Sequence, residues 1–360
     1  MELEKLLSTK VLVVAPSFNL SGGVANHYIG LTPYWKNNVR YVTCGRRESI
    51  PAFVTLVPDW INLLIKIISF RPAIVIVNPS LIYQPVFRDA VNILIAWICG
   101  RKVVTFIHGW DEKTYKAIER FPSLFKWIYN KSKVIFVLYS GFKSALEKIG
   151  ITTQIQLTST KVADELVNNY KPHASINKRL LFLARVDYDK GLDITLKAFL
   201  IVKKKINDIT LCVCGTGPYL QEAKQWVLDN NVKGVEFRGH VDGEIKKQCF
   251  VSSDIYILPT THGEGMATSL LEAMAMGLVV LSRPVGGVVD FFDNEKMGYL
   301  FESVKPDDYA NVIIDLYNNP DKIIAISNYN HEYACKNFLA SKVAESIEYT
   351  IGGINKNIKS

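Results

Sequence analysis

Short apolar, β-branched runs alternate with helix-length segments along almost the whole chain, and this constrains the fold more than any other feature. In the first half the runs predict strands at Lys10–Ala15, Arg40–Cys44, Val54–Val57, Ala73–Asn78, Lys102–Ile107 and Val134–Leu138. In the second half they predict strands at Leu180–Ala184, Ile209–Cys214, Val235–Phe237, Asp254–Leu258 and Leu278–Ser282. Helical segments between successive strands imply crossovers, and so parallel sheets covered by helices on both faces. The fold class is α/β. The polar stretch Asn168–Lys178 interrupts the pattern and reads as a linker. With 360 residues the chain is long enough for two Rossmann-like domains with an interdomain cleft. The expected boundaries are 1–170, 171–337 and a C-terminal helical segment 338–360, with Phe338–Ile351 as the helix.

Nearly half of the residues are hydrophobic, as a chain with sizeable cores requires. Met1–Lys10 is charged and runs straight into an apolar strand, which does not read as a signal peptide. The longest apolar runs, such as Ala90–Cys99, are too short to span a bilayer. A cytoplasmic protein is expected, with peripheral attachment to the inner membrane face left open. Charge is uneven: residues 1–171 carry 21 Lys and Arg against 11 Asp and Glu, the remainder 21 against 23. The basic half is expected to face something anionic. Cys44, Cys99, Cys212, Cys214, Cys249 and Cys335 show no metal-ligand spacing. Cys212 and Cys214 share one strand face, and the six read as small buried thiols in a reducing compartment.

The segment His262–Gly277 holds the densest chemistry. Gly263 and Gly265 break structure, and Thr268–Met276 is a mostly apolar helix stopped by Gly277. A buried helix start leaves N–H groups unpartnered and, with the helix dipole, favours an anion, most often a phosphate. Glu264 precedes that start and Glu272 lies about two turns in, roughly 12 Å apart along the axis. Both are suited to accept hydrogen bonds from hydroxyl groups flanking the phosphate. The whole then matches a nucleoside-diphosphate sugar. By itself the Glu spacing is a common coincidence; the strand before it and the strand after it supply the nucleotide-site context.

Other candidates also follow strands. Gly22-Gly23 after the first strand lets a ligand approach a helix start, or is a plain turn. His108 after the fifth strand is most simply structural. Arg185 and Lys190 follow the first strand of the second half, and two converging cations would neutralise a diphosphate. The alternative for that loop is a solvated surface turn. Asp187-Tyr188-Asp189 has the D-x-D look of a metal motif but lies between the two cations, so no metal is expected.

These motifs resemble the retaining GT-B glycosyltransferases of glycosyltransferase group 1, or family 4. The resemblance covers most of the chain and is strongest from Leu180 to Phe301. It rests on Glu264-x7-Glu272 running into Glu272-Ala-Met-Ala-Met-Gly277, on Gly286-Gly287-Val-Val-Asp290 and on Gly298-Tyr-Leu-Phe301. It rests also on Ala184-Arg185 with Lys190-Gly191, Cys214-Gly215-Thr-Gly217-Pro218 and Phe237-Arg238-Gly239-His240. Ala184 stands where the family usually has Gly, and Asp290 where it more often has Glu. The resemblance implies an acceptor-binding first domain, an NDP-sugar-binding second domain and a C-terminal helix crossing back to the first. It implies metal-independent transfer with retention, without a cofactor beyond the sugar-nucleotide co-substrate. Gly22 and Gly23 would face the donor diphosphate and His108 the anomeric centre. Arg185, Lys190 and the backbone of Gly265, Met266, Ala267 and Thr268 would hold the diphosphate. Glu264 would bind donor-sugar hydroxyls and Glu272 the ribose. Gly215, Phe237, Arg238 and Gly239 would lie near the nucleobase.

The acceptor is expected to be a saccharide or lipid-linked saccharide, in cell-surface polysaccharide, lipopolysaccharide or glycolipid synthesis. Asp111–Lys133 spaces Phe121, Leu124, Phe125 and Ile128 as a helix does, among Lys113, Lys116, Arg120, Lys126, Lys131 and Lys133. It reads equally as an interfacial membrane helix and as an ordinary helix packed on a sheet. Rival functions are a non-catalytic NDP-sugar-binding scaffold and a GT-B sugar-nucleotide epimerase or phosphorylase. An NAD oxidoreductase is disfavoured because the first glycine loop lacks G-x-G-x-x-G. No nucleic-acid motif accompanies the basic charge.

Overall fold

The computed structural model describes residues 9–19, 22–45, 52–172, 175–263 and 265–356. The chain divides into two compact units, 1–161 with 340–360, and 162–339.

The first unit contains β1 (Lys10–Ala15), α1 (Gly23–Leu31), β2 (Asn38–Thr43), α2 (Ala52–Phe70), β3 (Ile74–Val77), β4 (Ser80–Leu81) and α3 (Tyr83–Ile98). It continues with β5 (Lys102–Ile107), β6 (Gly109–Trp110), α4 (Glu112–Arg120), α5 (Pro122–Tyr129), β7 (Ser132–Val137), α6 (Ser140–Lys148) and β8 (Ile155–Leu157). The main sheet is parallel with order β2-β1-β3-β5-β7-β8. Right-handed crossovers put α1 on one face, where the order runs backwards, and α2, α3, α5 and α6 on the other. Alternate strand residues agree: Leu12, Val75, Ile107 and Ile135 share a core with Leu63, Ile93, Phe125 and Leu146.

The second unit contains α7 (Asp164–Val167), β9 (Arg179–Leu183), α8 (Leu192–Lys203), β10 (Thr210–Cys214), α9 (Leu220–Asp229), β11 (Val235–Gly239) and α10 (Gly243–Val251). It ends with β12 (Ile255–Leu258), α11 (Thr268–Ala275), β13 (Val279–Ser282), β14 (Gly298–Leu300), α12 (Pro306–Asn318) and α13 (Pro320–Asn337). Its parallel sheet runs β11-β10-β9-β12-β13-β14, the doubly wound Rossmann order. The final helix, α14 (Ala340–Lys356), belongs to the first unit. There Glu348 Oε1 accepts from the backbone N–H groups of Lys36 (2.8 Å) and Asn37 (2.7 Å).

Three expectations change. Val54–Val57 is not a strand but the start of α2. Thr55, Asp59, Leu63, Ile67 and Phe70 recur every three or four residues and turn inward, and the Asp59 carboxylate accepts from Gly45 N (2.8 Å). A local run of β-branched residues imitated a strand, and the longer period decides for helix. The 111–133 segment is two helices, because the chain breaks at Phe121 and Pro122 opens the second at its first position. Phe125 and Ile128 turn inward, whereas Phe121 and Leu124 are exposed. The expected linker after 168 lies within the second unit. Tyr170 Oη donates to Met276 O (2.7 Å), and Asn177 N donates to Asp254 Oδ1 (2.9 Å).

The stop at Gly277 is as expected. Its φ of +67° is left-handed, Gly277 N donates to Met274 O and Leu278 N to Ala273 O, both 2.9 Å. A Cβ at Gly277 would also lie 2.6 Å from Ser327 Oγ. Gly277→Ala is expected to cost about 1–2 kcal/mol, read as a lower urea midpoint at an unchanged slope.

His27, on α1, is fully enclosed, with ring centroids 5.3 Å from Tyr28, Phe106 and His108. Neither ring nitrogen has a hydrogen-bond partner among the described residues. Burial, with nearby Lys161 adding, pushes its pKa down to about 3. The folded chain therefore holds it neutral, while the unfolded chain protonates it near pH 6.5. Stability from this source is complete above about pH 6.5 and falls with pH below it, by up to ~1.4 kcal/mol per pH unit. His27→Phe is expected to remove about one proton from the slope of unfolding free energy between pH 6.5 and 5.

Candidate active site

In an open parallel sheet ligands bind beyond the carboxyl ends of the strands, where the strand order reverses. In the second unit that point lies between β9 and β12. The loop after β9 carries Arg185 and Lys190; the loop after β12 leads into α11. The sequence candidates thus fall on the two loops that flank the switch point.

Specific contacts tie these loops together. The Asp189 carbonyl accepts from Thr261 N (2.8 Å) and Thr260 Oγ1 (3.1 Å), and its carboxylate meets His262 Nδ1 at 2.6 Å. Gly191 has φ +77°, and a Cβ there would lie 2.3 Å from Pro259 O, so only glycine permits this approach. Tyr256, on β12, donates to Leu183 O (3.3 Å) and shares a hydrogen bond with Ser269 Oγ (2.7 Å). The end of β9 and the first turn of α11 are therefore held by one side chain.

The two cations differ in setting. Arg185 is 71% exposed and pairs with Asp187 at 2.5 Å, whereas Lys190 is only 9% exposed, at the end of a 3-10 turn, Tyr188–Lys190. Asp187 and Asp189 each have a cationic or imidazole partner of their own. Helix α11 begins after Ala267, which offers no side-chain cap to its first N–H groups. Gly265 O accepts from Gly287 N (2.8 Å), fixing the loop before the helix against the Gly286-Gly287 turn. Met266 and Ala267 are half-buried, and Thr268 at the helix start is exposed. Glu264 lies outside the described residues.

Glu272 is buried on α11 and holds Lys246 Nζ, from α10, at 2.6 Å. Sequence reasoning missed Lys246, which sits in an unremarkable helix; only the fold brings it to the carboxylate. Gly215 and Gly217 are demanded by packing, since Cβ atoms there would lie 1.8 Å from Ala184 O and 2.3 Å from Val186 O. Gly215 N donates to Gly239 O at 2.6 Å, which joins the turn after β10 to the end of β11, with Phe237 and Arg238 just before it. The Arg238 guanidinium is occupied by Glu236 at 2.8 Å.

In the first unit the order reverses between β1 and β3. Gly22 caps the start of α1 in extended backbone, and Cβ atoms at Gly22 or Gly23 would meet nothing within 4 Å among the described residues. Neither packing nor φ demands glycine at these positions, so their effect is to leave clear space at a helix start. The short β4–β6 pairing brings the loops after β3 and β5 together, with Ser80 opposite Gly109. His108 Nε2 thereby meets Asn78 Oδ1 at 3.0 Å, and Tyr28 Oη donates to the same oxygen at 2.7 Å. Burial, with the neighbouring His27 imidazole adding, lowers the His108 pKa well below its usual range, so the imidazole is neutral at pH 7. Asn78 and Tyr28 also escaped sequence reasoning; Asn78 at the end of the fourth predicted strand was the available signal.

Among the described residues, the three side chains of metal-ligating type that cluster are Cys212, Cys214 and Cys249, with sulfurs within 4.8 Å of one another. They are buried between β10 and α10. Hydrogen bonding to Cys212, with burial, raises the Cys214 thiol, which keeps it protonated.

Residues 169–333 match the family described as glycosyl transferases group 1. An uncharacterised glycosyltransferase of Methanocaldococcus jannaschii is 28% identical over 189 residues, 52% of this chain and 44% of the relative. Alpha-monoglucosyldiacylglycerol synthase of Streptococcus pneumoniae is 26% identical over 216 residues, 58% of this chain and 48% of the relative. These matches span about half the length of the curated relatives. The crystal structure of Anabaena HepE in complex with UDP superposes with a TM-score of 0.74 at 15% identity, covering 96% of this chain and 100% of HepE. That likeness gives the fold, GT-B, with two Rossmann-like domains. The matched residues lie wholly within the second unit, which is where the chain's similarity to the group 1 glycosyl transferases resides.

Proposed function

We propose that this chain transfers a sugar from a nucleoside-diphosphate sugar to a hydroxyl of a saccharide or lipid-linked saccharide, with retention and without a metal ion. One observation carries the reading: the Arg185–Lys190 loop is locked by Asp189 onto the loop leading into the side-chain-uncapped start of α11. Cations beside a helix start that has no side-chain cap suit a diphosphate. The HepE complex with UDP and the diacylglycerol-linked product of the pneumococcal relative are consistent with a nucleotide donor and a lipid-linked acceptor.

In this mechanism the bond from the anomeric carbon to the β-phosphate oxygen breaks with its electron pair leaving on the phosphate. The acceptor oxygen attacks from the same face, and its proton passes to the departing phosphate. Arg185, Lys190 and the N–H groups of Met266, Ala267 and Thr268 stabilise the developing charge, the role a metal would otherwise fill. Glu272, steadied by Lys246, takes the ribose diol. Glu264 takes donor-sugar hydroxyls by its place in the motif. Gly215, Phe237, Arg238 and Gly239 border the base. In the first unit, Gly22, Gly23 and the neutral His108 form the end of the sheet that meets substrate. Peripheral association with an anionic inner membrane face, from the cytoplasmic side, fits a lipid-linked acceptor.

A panel of NDP-sugars, assayed for hydrolysis and for transfer, tests the class. Lys190→Ala and Glu264→Ala are each expected to lower turnover of the preferred donor by about 100-fold or more, with unchanged melting temperature. Full activity in either variant would refute its assignment. Transfer is expected to survive excess EDTA, and loss of turnover restored by a divalent cation would refute the metal-free route.

A further inference from the structure

The helices on one face of the first unit present a second apolar surface, outward. Helix α2 buries one stripe, yet Val57, Ile61, Ile65 and Ile68, on its opposite side, are exposed, Ile68 by 61%. Its neighbour α3 exposes Phe87, Trp97 and Ile98, and α5, next to α3, exposes Leu124 and Trp127. Single exposed apolar residues are ordinary, but a run across three adjacent helices marks a binding surface. Helix α2 alone is about 28 Å long.

Among the described residues of these three helices, the exposed charges are of one sign. The carboxylates of the three helices, Asp59 on α2 and Asp89 on α3, are both buried, and α5 has none. Lys66 on α2 and Arg71 just beyond it are exposed. Lys131 Nζ lies over the rings of Trp97 (4.5 Å) and Trp127 (4.9 Å), whose centroids are 6.4 Å apart. Indoles interleaved with an ammonium group suit the boundary between headgroups and acyl chains. Among the described residues no helix is long and apolar enough to cross a membrane, so the contact is one of lying on the surface.

We infer that the α2–α3–α5 face docks flat on an anionic lipid bilayer. The 111–133 segment contributes only its second half, through Leu124 and Trp127; the main contact is α2. The purpose, access to a lipid-linked acceptor, rests on the proposed transfer, while the docking itself does not.

Flotation of the full chain with phosphatidylcholine vesicles containing 30% phosphatidylglycerol, at low and high salt, tests this. The wild type is expected to float, less so in high salt and with phosphatidylcholine alone. A triple variant, Ile61→Ser, Ile65→Ser and Ile68→Ser, is expected to lose at least ten-fold in partitioning. Its melting temperature and its binding of UDP should stay unchanged. Lys131→Ala should weaken only the salt-sensitive part. Wild-type protein that stays with the soluble fraction for every vesicle, or equal partitioning by the triple variant, overturns the proposal. So does a wild-type dimer that the triple variant makes monomeric, which would assign the face to a second copy. Loss of NDP-sugar turnover with flotation intact would refute the transferase reading alone.

Discussion

The geometry of the second unit turns on Asp189. Its carbonyl and carboxylate together take Thr260, Thr261 and His262, so one residue of the β9 loop organises the start of the β12 loop. That contact is possible only because Gly191, two residues on, lets the backbone pass Pro259 O. This lock, together with the Tyr256 hydrogen bonds to Leu183 O and Ser269 Oγ, ties the loop that carries Arg185 and Lys190 to the helix start. Electrostatic stabilisation requires groups already in place before charge develops. The Asp187 carboxylate pairs with Arg185 within the loop, and the Asp189 carboxylate reaches across to His262.

The same logic explains the glycines. Gly191, Gly215 and Gly217 are where one loop crosses another at backbone distance, and each added Cβ would strike a carbonyl oxygen. Gly22 and Gly23 are different, because none of the described residues would touch a side chain there. Glycine that packing requires and glycine that leaves space look identical in sequence; only coordinates separate them.

What was legible in the sequence follows from period and punctuation. The buried strands of both sheets and the α11 stop at Gly277 were readable because each signal is local. Arg185, Lys190 and Glu272 were singled out by motif spacing, and the fold places all three on elements around one switch point. Lys246, Asn78 and Tyr28 were not, since each acquires its meaning from a partner at least 26 positions away. The linker misled for a related reason: polar composition says exposed, but Tyr170 and Asn177 spend their polar groups on Met276 and Asp254.

The misreading of Val54–Val57 has a further physical content. A helix with one apolar stripe announces itself by a clear 3.6-residue period. Helix α2 has two such stripes, one facing the sheet and one facing outward, so the period is blurred and β-branching dominates the local signal. Apolar residues on both sides are what a helix carries when both sides are covered by something other than water. The sheet covers one side of α2. The feature that hid this helix from sequence reasoning is thus the one that demands a second covering layer, and the surrounding cations and inward-turned Asp59 and Asp89 give that layer its sign.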